Sequence, residues 1–149
     1  MDNKPVIDIK PLTKDIITNN VAQLIEMSRQ LHGDYWILEH YLSELNRKWE
    51  LSSATYADGK FCGFIIVSEK TESLHVHRIV ITKEFHGCGI GRMLINKTID
   101  DAGRLHKSAV TLKAEADNNK TIGFYKDLNF EITGEQGDVL VLMTLKIAS

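Results

Sequence analysis

The stretch that decides the fold is residues 79–94, which read IVITKEFHGCGIGRML. Its first four residues are β-branched and predict the end of a strand. Glycines follow at 87, 89 and 91, and from Ile90 apolar residues recur at helical spacing to about Leu105. We therefore predict a strand, a glycine turn and a helix. Glycine lets a backbone approach a ligand closely, and the first N–H groups of a helix favour anions, so this turn is a candidate phosphate site.

Two better-known phosphate motifs do not fit this turn. The dinucleotide pattern Gly-x-Gly-x-x-Gly would need a glycine at 92 or 94, where the chain has Arg92 and Leu94. The Walker pattern needs Gly-Lys-Ser/Thr, whereas Gly59-Lys60 is followed by Phe61. From the residues alone, a tight strand–helix turn without a ligand remains the alternative.

The elements on either side of the turn predict a mixed α/β fold. Asp58-Gly59 marks a hairpin turn, and His32-Gly33-Asp34 separates two apolar helical stripes, with Gly33 as a helix stop and Asp34 as a cap. The predicted strands are residues 6–9, 51–56, 61–68, 74–82, 110–114, a strand starting at 129, and 139–147; helices are predicted within 13–47 and over 90–105 and 118–128. The order is β-α-α-β-β-β-α-β-α-β-β, with a helix crossing between parallel strands in the second half.

Length and composition indicate one domain over residues 1–149. Hydrophobic residues make up 43% and charged residues 26%, and the net charge of -2 gives no overall attraction to nucleic acid. The longest apolar run, residues 61–67, is too short to span a membrane, and the first residues lack an apolar signal segment, so we expect a cytoplasmic protein. Cys62 and Cys88 form no Cys-x-x-Cys unit, and His75-x-His77 offers too few ligands for a metal.

Two stretches together resemble the GNAT superfamily of N-acetyltransferases. Residues 79–94 resemble its acetyl-CoA motif, a strand followed by Arg/Gln-x-x-Gly-x-Gly/Ala at the head of a helix. Residues 112–130 resemble its second marker, an Asn, a Tyr seven residues on, and Leu-Gly-Phe; here these are Asn118, Tyr125 and residues 128–130. The element order is also the family's, so the resemblance covers essentially the whole chain and implies a three-layer fold with a splayed central sheet. His86 in place of Arg or Gln and Asn129 in place of Gly depart from the pattern.

The resemblance implies transfer of an acetyl group from acetyl-CoA directly to a primary amine of a small molecule or peptide. It implies that a strand amide before the turn stabilises the oxyanion and that this strand pairs with the pantetheine arm. The cofactor contacts that carry over are Ile79, Val80, Ile81, His86, Gly87, Cys88, Gly89, Ile90, Gly91, Arg92, Asn118 and Tyr125. We interpret Cys88 as part of the cradle rather than as a nucleophile, because no base is fixed beside it. The alternatives are a non-catalytic acyl-CoA-binding module and a nucleotide-binding protein.

Three residues are candidates for proton transfer. By resemblance Tyr125 is the general acid for the departing thiolate, and a core aromatic is the alternative. The strand before the turn has no Glu after Glu72, but His75 and His77 should share one face of it. Arylalkylamine N-acetyltransferases carry a similar His-x-His that relays a proton through water; the alternative is a pair of sheet histidines bonded to neighbours. We expect Arg78 on the opposite face.

The acceptor is not chosen by the sequence. By resemblance its selectivity comes from residues 30–41, the turn at 134–138 and the final strands. Tyr35 and Trp36 are candidates to line the pocket, with a position in the core as the alternative, whereas Tyr41 lies on an apolar stripe and is expected in the core. Acidic residues that could attract a cationic amine are Glu39, Glu44, Glu135 and Asp138. Both a monomer and a homodimer are compatible with the sequence.

Overall fold

The structure is a computed structural model that describes residues 4–29 and 36–147. Its strands are β1 (Ile7–Pro11), β2 (Ser53–Ala57), β3 (Lys60–Glu69), β4 (Ser73–Ile81), β5 (Ala109–Glu115), β6 (Glu131–Gln136) and β7 (Leu140–Lys146). Its helices are α1 (Lys14–Asn19), α2 (Val21–Ser28), α3 (Leu38–Leu42), α4 (Lys48–Leu51), α5 (Ile90–Arg104) and α6 (Asn119–Asp127). The expected mixed α/β order is confirmed.

The first helical region differs most from the prediction. In its described part this region contains the short helices α1, α2 and α3. A further short helix, α4, follows over residues 48–51, so β2 begins at Ser53. Thr13 caps α1 by accepting the Ile16 amide, and Asn20 ends that helix only one residue before α2 begins. The predicted separator His32-Gly33-Asp34 lies outside the described residues. None of the helices in the described ranges has the length and apolar composition needed to cross a membrane.

Seven strands form one sheet in the order β1-β2-β3-β4-β5-β7-β6. The hairpin at Asp58-Gly59 forms as predicted, with positive φ at both residues (50° and 83°). The one parallel pair joins β4 to β5, and it extends only from Ser73 opposite Ala109 to Val76 opposite Leu112. Beyond that point β4 continues to Ile81 and β5 to Glu115 without pairing. The sheet is therefore splayed at its centre, as the resemblance implied.

A separate apolar core packs on each face of the sheet. We call one the α5/α6 face, where Leu94 of α5 and Ile122 of α6 pack against strand residues such as Ile65. We call the other the α1–α3 face, where Ile17 and Leu24 pack against Phe64. Because strand side chains alternate, neighbouring residues of β3 serve different cores. A layer of helices therefore packs on each face of the sheet.

A β-bulge in β4 sets which side chains face which core. Ile66 pairs with Arg78 and Val67 pairs with Val76, so His77 is the extra residue of β4. The bulge shifts the alternation by one, and the guanidinium carbon of Arg78 lies 4.4 Å from the ring centroid of Trp36, on the α1–α3 face. The expectation that Arg78 faces away from His77 is therefore wrong, because it assumed an unbroken strand.

Candidate active site

The glycine turn forms an open cradle at the end of β4. A single 3₁₀ turn (Lys83–Phe85) leads into Gly87 and Gly89, whose φ values are 84° and 80°. A Cβ built at either glycine would meet nothing within 4 Å, so the backbone conformation and not packing requires glycine there. Gly91 differs, because its Cβ would lie 3.4 Å from the Phe124 ring and glycine lets α5 pack closely against α6.

The amides of this turn suit a pyrophosphate. In the described part of the chain, no carbonyl accepts the N–H groups of residues 89–92; the next amide, Met93, donates to the Gly89 carbonyl at 3.1 Å. These N–H groups lie at the positive end of the fifteen-residue helix α5. The side chains of Cys88 and Arg92 are exposed, whereas Ile90 is buried and offers only its backbone. The residues present therefore fit the phosphates of coenzyme A.

His86 does not lie over the turn. Its Nε2 donates to the carbonyl of Ile81 at 2.7 Å, so the ring folds back onto the end of β4. The predicted strand contacts are split between the two faces, with Ile79 and Ile81 packed against the α5/α6 core and Val80 buried in the α1–α3 core. A ligand that lies along the edge of β4 can therefore contact all three residues only through their backbone atoms.

His75 and His77 lie on the same face, as predicted, with ring centroids 4.8 Å apart. His77 Nε2 is 2.7 Å from the Ser68 hydroxyl, and His75 Nδ1 is 2.8 Å from the Thr111 hydroxyl. These contacts leave Nδ1 of His77 and Nε2 of His75 for other partners. Ser68 and Thr111 were missed by sequence reasoning; the only signal for them is the strand register, which sets both opposite His75.

Both histidines are neutral at neutral pH. Burial lowers the pKa of His77 to about 4, and the nearby His75, Lys70, Lys48 and Lys113 act in the same direction. Burial also lowers the pKa of His75, with Lys70 and Lys113 adding to it. Both pKa values therefore lie below the ordinary value for a histidine, about 6.5. A neutral imidazole accepts a proton from water or an amine but holds it weakly.

Tyr125 lies on the other face. It is 5% exposed, in edge contact with Phe124 and Phe130, and its hydroxyl bonds to none of the described residues. Burial raises the pKa of Tyr125, so the phenol stays protonated. Asn118 accepts the Thr121 amide with its Oδ1 and so caps α6, which leaves its Nδ2 for a ligand.

The structure brings together the histidine pair and, separately, the turn amides, but it holds Tyr125 apart from the histidines. His75 and His77 belong to the α1–α3 face and Tyr125 to the α5/α6 core. The strands separate after Val76 and Leu112, directly beside His77. The gap between β4 and β5 is therefore a place in the described structure that is open to groups from both faces of the sheet.

The contacts of the candidate acceptor-binding residues show which of them are buried or already paired. Tyr41 is fully buried, as expected of a core residue, and Trp36 is half-buried beneath Arg78. Tyr35 lies outside the described residues. Glu44 pairs with Lys14 at 2.8 Å and accepts from Trp49 Nε1 at 3.0 Å, so it is engaged away from an acceptor. No cluster of three or more metal-ligating side chains occurs in residues 4–29 and 36–147.

A family model described as the acetyltransferase (GNAT) family matches residues 20–130, well over half of the chain. The chain belongs to the GNAT family. Membership confirms the expected fold of this GNAT chain.

Individual relatives agree with this placement. An uncharacterized N-acetyltransferase of Methanocaldococcus jannaschii is 40% identical over 70 residues, 47% of this chain and 31% of the relative. A peptidyl-lysine N-acetyltransferase of Escherichia coli is 31% identical over 72 residues, 48% of this chain and 43% of the relative. The alignments thus span less than half of both curated relatives. The crystal structure of Ard1 from Thermoplasma volcanium superimposes with a TM-score of 0.82 at 19% identity, covering 96% of this GNAT chain and 99% of that one.

Proposed function

We propose that the chain catalyses direct transfer of an acetyl group from acetyl-CoA to a primary amine of a small molecule or peptide, within one domain over residues 1–149. The observation that carries the proposal is the position of the gap between β4 and β5. On one face of the sheet the gap lies beside His77, and its other face is the one that carries Tyr125. The glycine turn follows the same end of β4. Acetyl transfer needs these three groups: a proton acceptor, a proton donor and an anion cradle.

The turn and the free edge of β4 hold the co-substrate in this proposal. The amides of residues 89–92 bind the pyrophosphate, and Asn118 Nδ2 contacts the pantetheine arm. Beyond Val76 the β5-facing edge of β4 has no strand partner, which leaves backbone groups of residues 79–81 to pair with that arm. An amide of the same edge stabilises the developing oxyanion. Acetyl-CoA supplies the thioester, and its thiolate leaves.

The histidine pair removes the proton that the amine must lose. His77 Nδ1 accepts it through a water molecule, because Nε2 is engaged by Ser68. The low pKa of His77 means that the proton is passed on and not stored. The hydroxyls of Ser68 and Thr111 both donate and accept, so they suit such a relay.

Tyr125 protonates the departing thiolate. Its raised pKa alone would make this transfer unfavourable. However, burial disfavours every anion, so a thiolate in the same apolar surroundings also has a raised pKa. The difference between the pKa values of Tyr125 and the thiol decides whether the proton is transferred. This difference is smaller than the raised pKa of Tyr125 alone would suggest.

The experiment is a thiol-release assay with acetyl-CoA and a panel of amines. The panel includes free amino acids, arylalkylamines, polyamines, peptide N-termini and peptidyl-lysine, the last because a relative carries that name. Release with one class supports the proposal and identifies the acceptor. Acetyl-CoA binding with no release for any amine would instead support a binding module. Full activity of the double variant Tyr125→Phe/His77→Ala would refute the proposed proton carriers.

A further inference from the structure

Lys113 occupies the position across the gap from His77. The parallel register sets His75 opposite Thr111 and Val76 opposite Leu112, so the next residues, His77 and Lys113, stand where the strands separate. The Thr111 hydroxyl bonds to His75, which fixes the α1–α3 face for the odd-numbered residues of β5. Lys113 is two residues on and shares that face. Its charge reaches both histidines, since it helps to lower both of their pKa values.

A cavity opens beside Lys113. Across the sheet Lys113 pairs with Leu142, and Leu142 pairs with Gly134. Because Gly134 has no side chain, this row leaves a cavity of about 210 Å³, lined by Lys113, Gly134, Glu135, Gln136, Val141 and Leu142. This volume accommodates a carboxylate group and a short chain leading to it. The cavity therefore lies next to the expected position of the acceptor amine.

Two charged side chains, Lys113 and Glu135, line the cavity. Lys113 is exposed and forms no ion pair within 4.0 Å with any residue the structure describes. Glu115 lies on the same face two residues on but makes no such pair, and Glu135 is paired with Val141, whose side chain packs in the α5/α6 core. Glu135 nevertheless lines the cavity, but it forms no ion pair with Lys113 within 4.0 Å. In the described part of the chain, no carboxylate neutralises the Lys113 ammonium by direct contact, so this ammonium can pair with a carboxylate of the acceptor.

We propose that Lys113 determines acceptor specificity by binding a carboxylate that accompanies the acetylated amine. The ligand is an α-amino acid or a peptide with an acidic residue beside its amine, and this rests on the proposed function. The Lys113 ammonium pairs with that carboxylate while the amine reaches the gap beside His77. The Lys113 ammonium also favours the uncharged form of an amine bound close to it.

The test uses acceptors that differ only in a carboxylate. One pair is a free amino acid and its amide; the other is a peptide amide with Glu or with Gln beside the reacting amine. For each pair, the ratio of kcat/KM values is compared between wild type, Lys113→Gln and Lys113→Glu. Differences in amine basicity cancel in this comparison. Lys146→Gln is the matched control, because Lys146 pairs with Ala109 on the same face, four residues along β5 from Lys113.

We expect the carboxylate preference to fall about two- to fivefold in Lys113→Gln, as for loss of one exposed ion pair. It should reverse in Lys113→Glu and stay unchanged in Lys146→Gln. A changed ratio for the amino acid and its amide indicates a free amino acid as the acceptor. A changed ratio for the Glu and Gln peptides indicates an acidic peptide. Equal ratios in wild type and Lys113→Gln, with acetylation intact, overturn this proposal alone. Absence of thiol release with every acceptor overturns the proposed function and this proposal with it.

Discussion

At the scale of single residues, we expect the largest effect on kcat from removing the hydroxyl oxygen of Tyr125. Tyr125→Phe keeps the ring contacts with Phe124 and Phe130 and removes only the hydroxyl. We expect kcat to fall by about 10²- to 10³-fold, the usual contribution of a positioned general acid, with acetyl-CoA affinity nearly unchanged. Steady-state kinetics and a binding titration measure the two quantities. Tyr56→Phe, which removes the hydroxyl of a half-buried tyrosine on β2, is the control.

His77 should affect kcat/KM without adding an inflection of its own to the pH profile near neutrality. Its pKa is lowered to about 4, so it is already neutral at pH 6 and no inflection near 6.5 is expected. The pH profile of kcat/KM should instead rise with deprotonation of the amine. His77→Gln should lower the rate about tenfold or more over pH 6–9 and leave the shape of the profile the same.

The matching control is His106→Asn, at an exposed left-handed position beyond α5 that Asn tolerates. A wild-type inflection near pH 6.5 that disappears in His77→Gln would contradict the lowered pKa.

At the scale of elements, the glycine turn allows the contribution of backbone geometry to acetyl-CoA binding to be tested apart from that of side chains. Gly89→Ala forces a Cβ onto φ of 80° although space is free, so the cost is conformational, about 1 kcal/mol. We expect the first turn of α5 to rearrange and acetyl-CoA to bind about tenfold more weakly. Gly103→Ala, inside the same helix and without contacts to its Cβ, should leave binding unchanged and slightly stabilise the fold. Calorimetric titration and urea unfolding test both variants, and equal affinities would exclude a backbone cradle.

The same elements show what could be predicted from the sequence. Asp58, Gly59 and Asn129 are residue types that tolerate a left-handed backbone, and all three have positive φ. The His75 and His77 rings follow from strand alternation. Arg78 does not, because the bulge at His77 arises from the pairing of β3 with β4, which no local pattern encodes. Ser68, Thr111 and Lys113 were missed for the same reason: their relation to His75 and His77 depends on register between separate strands.

For the whole molecule, the buried histidines predict loss of stability in mild acid. A histidine with a lower pKa in the folded chain favours folding while it is neutral. The contribution of His77 is complete above about pH 6.5 and is lost as the pH falls toward about 4. We expect the free energy of unfolding to fall in that range by on the order of 1 kcal/mol, because partial exposure screens the effect. Urea unfolding at several pH values measures it, and His77→Gln should show a flatter dependence.

The gap between β4 and β5 also predicts a kinetic order for the proposed reaction. In the proposed mechanism the two proton carriers act on the gap from opposite faces, so we expect acetyl-CoA and the amine both to be bound before any bond changes, with no acetyl group held covalently on the protein. Initial-rate plots should therefore give intersecting lines rather than parallel ones, and Cys88→Ala should leave that pattern unchanged. A compound that joins the amine covalently to coenzyme A should bind more tightly than either half, because one molecule then occupies both sides of the opening.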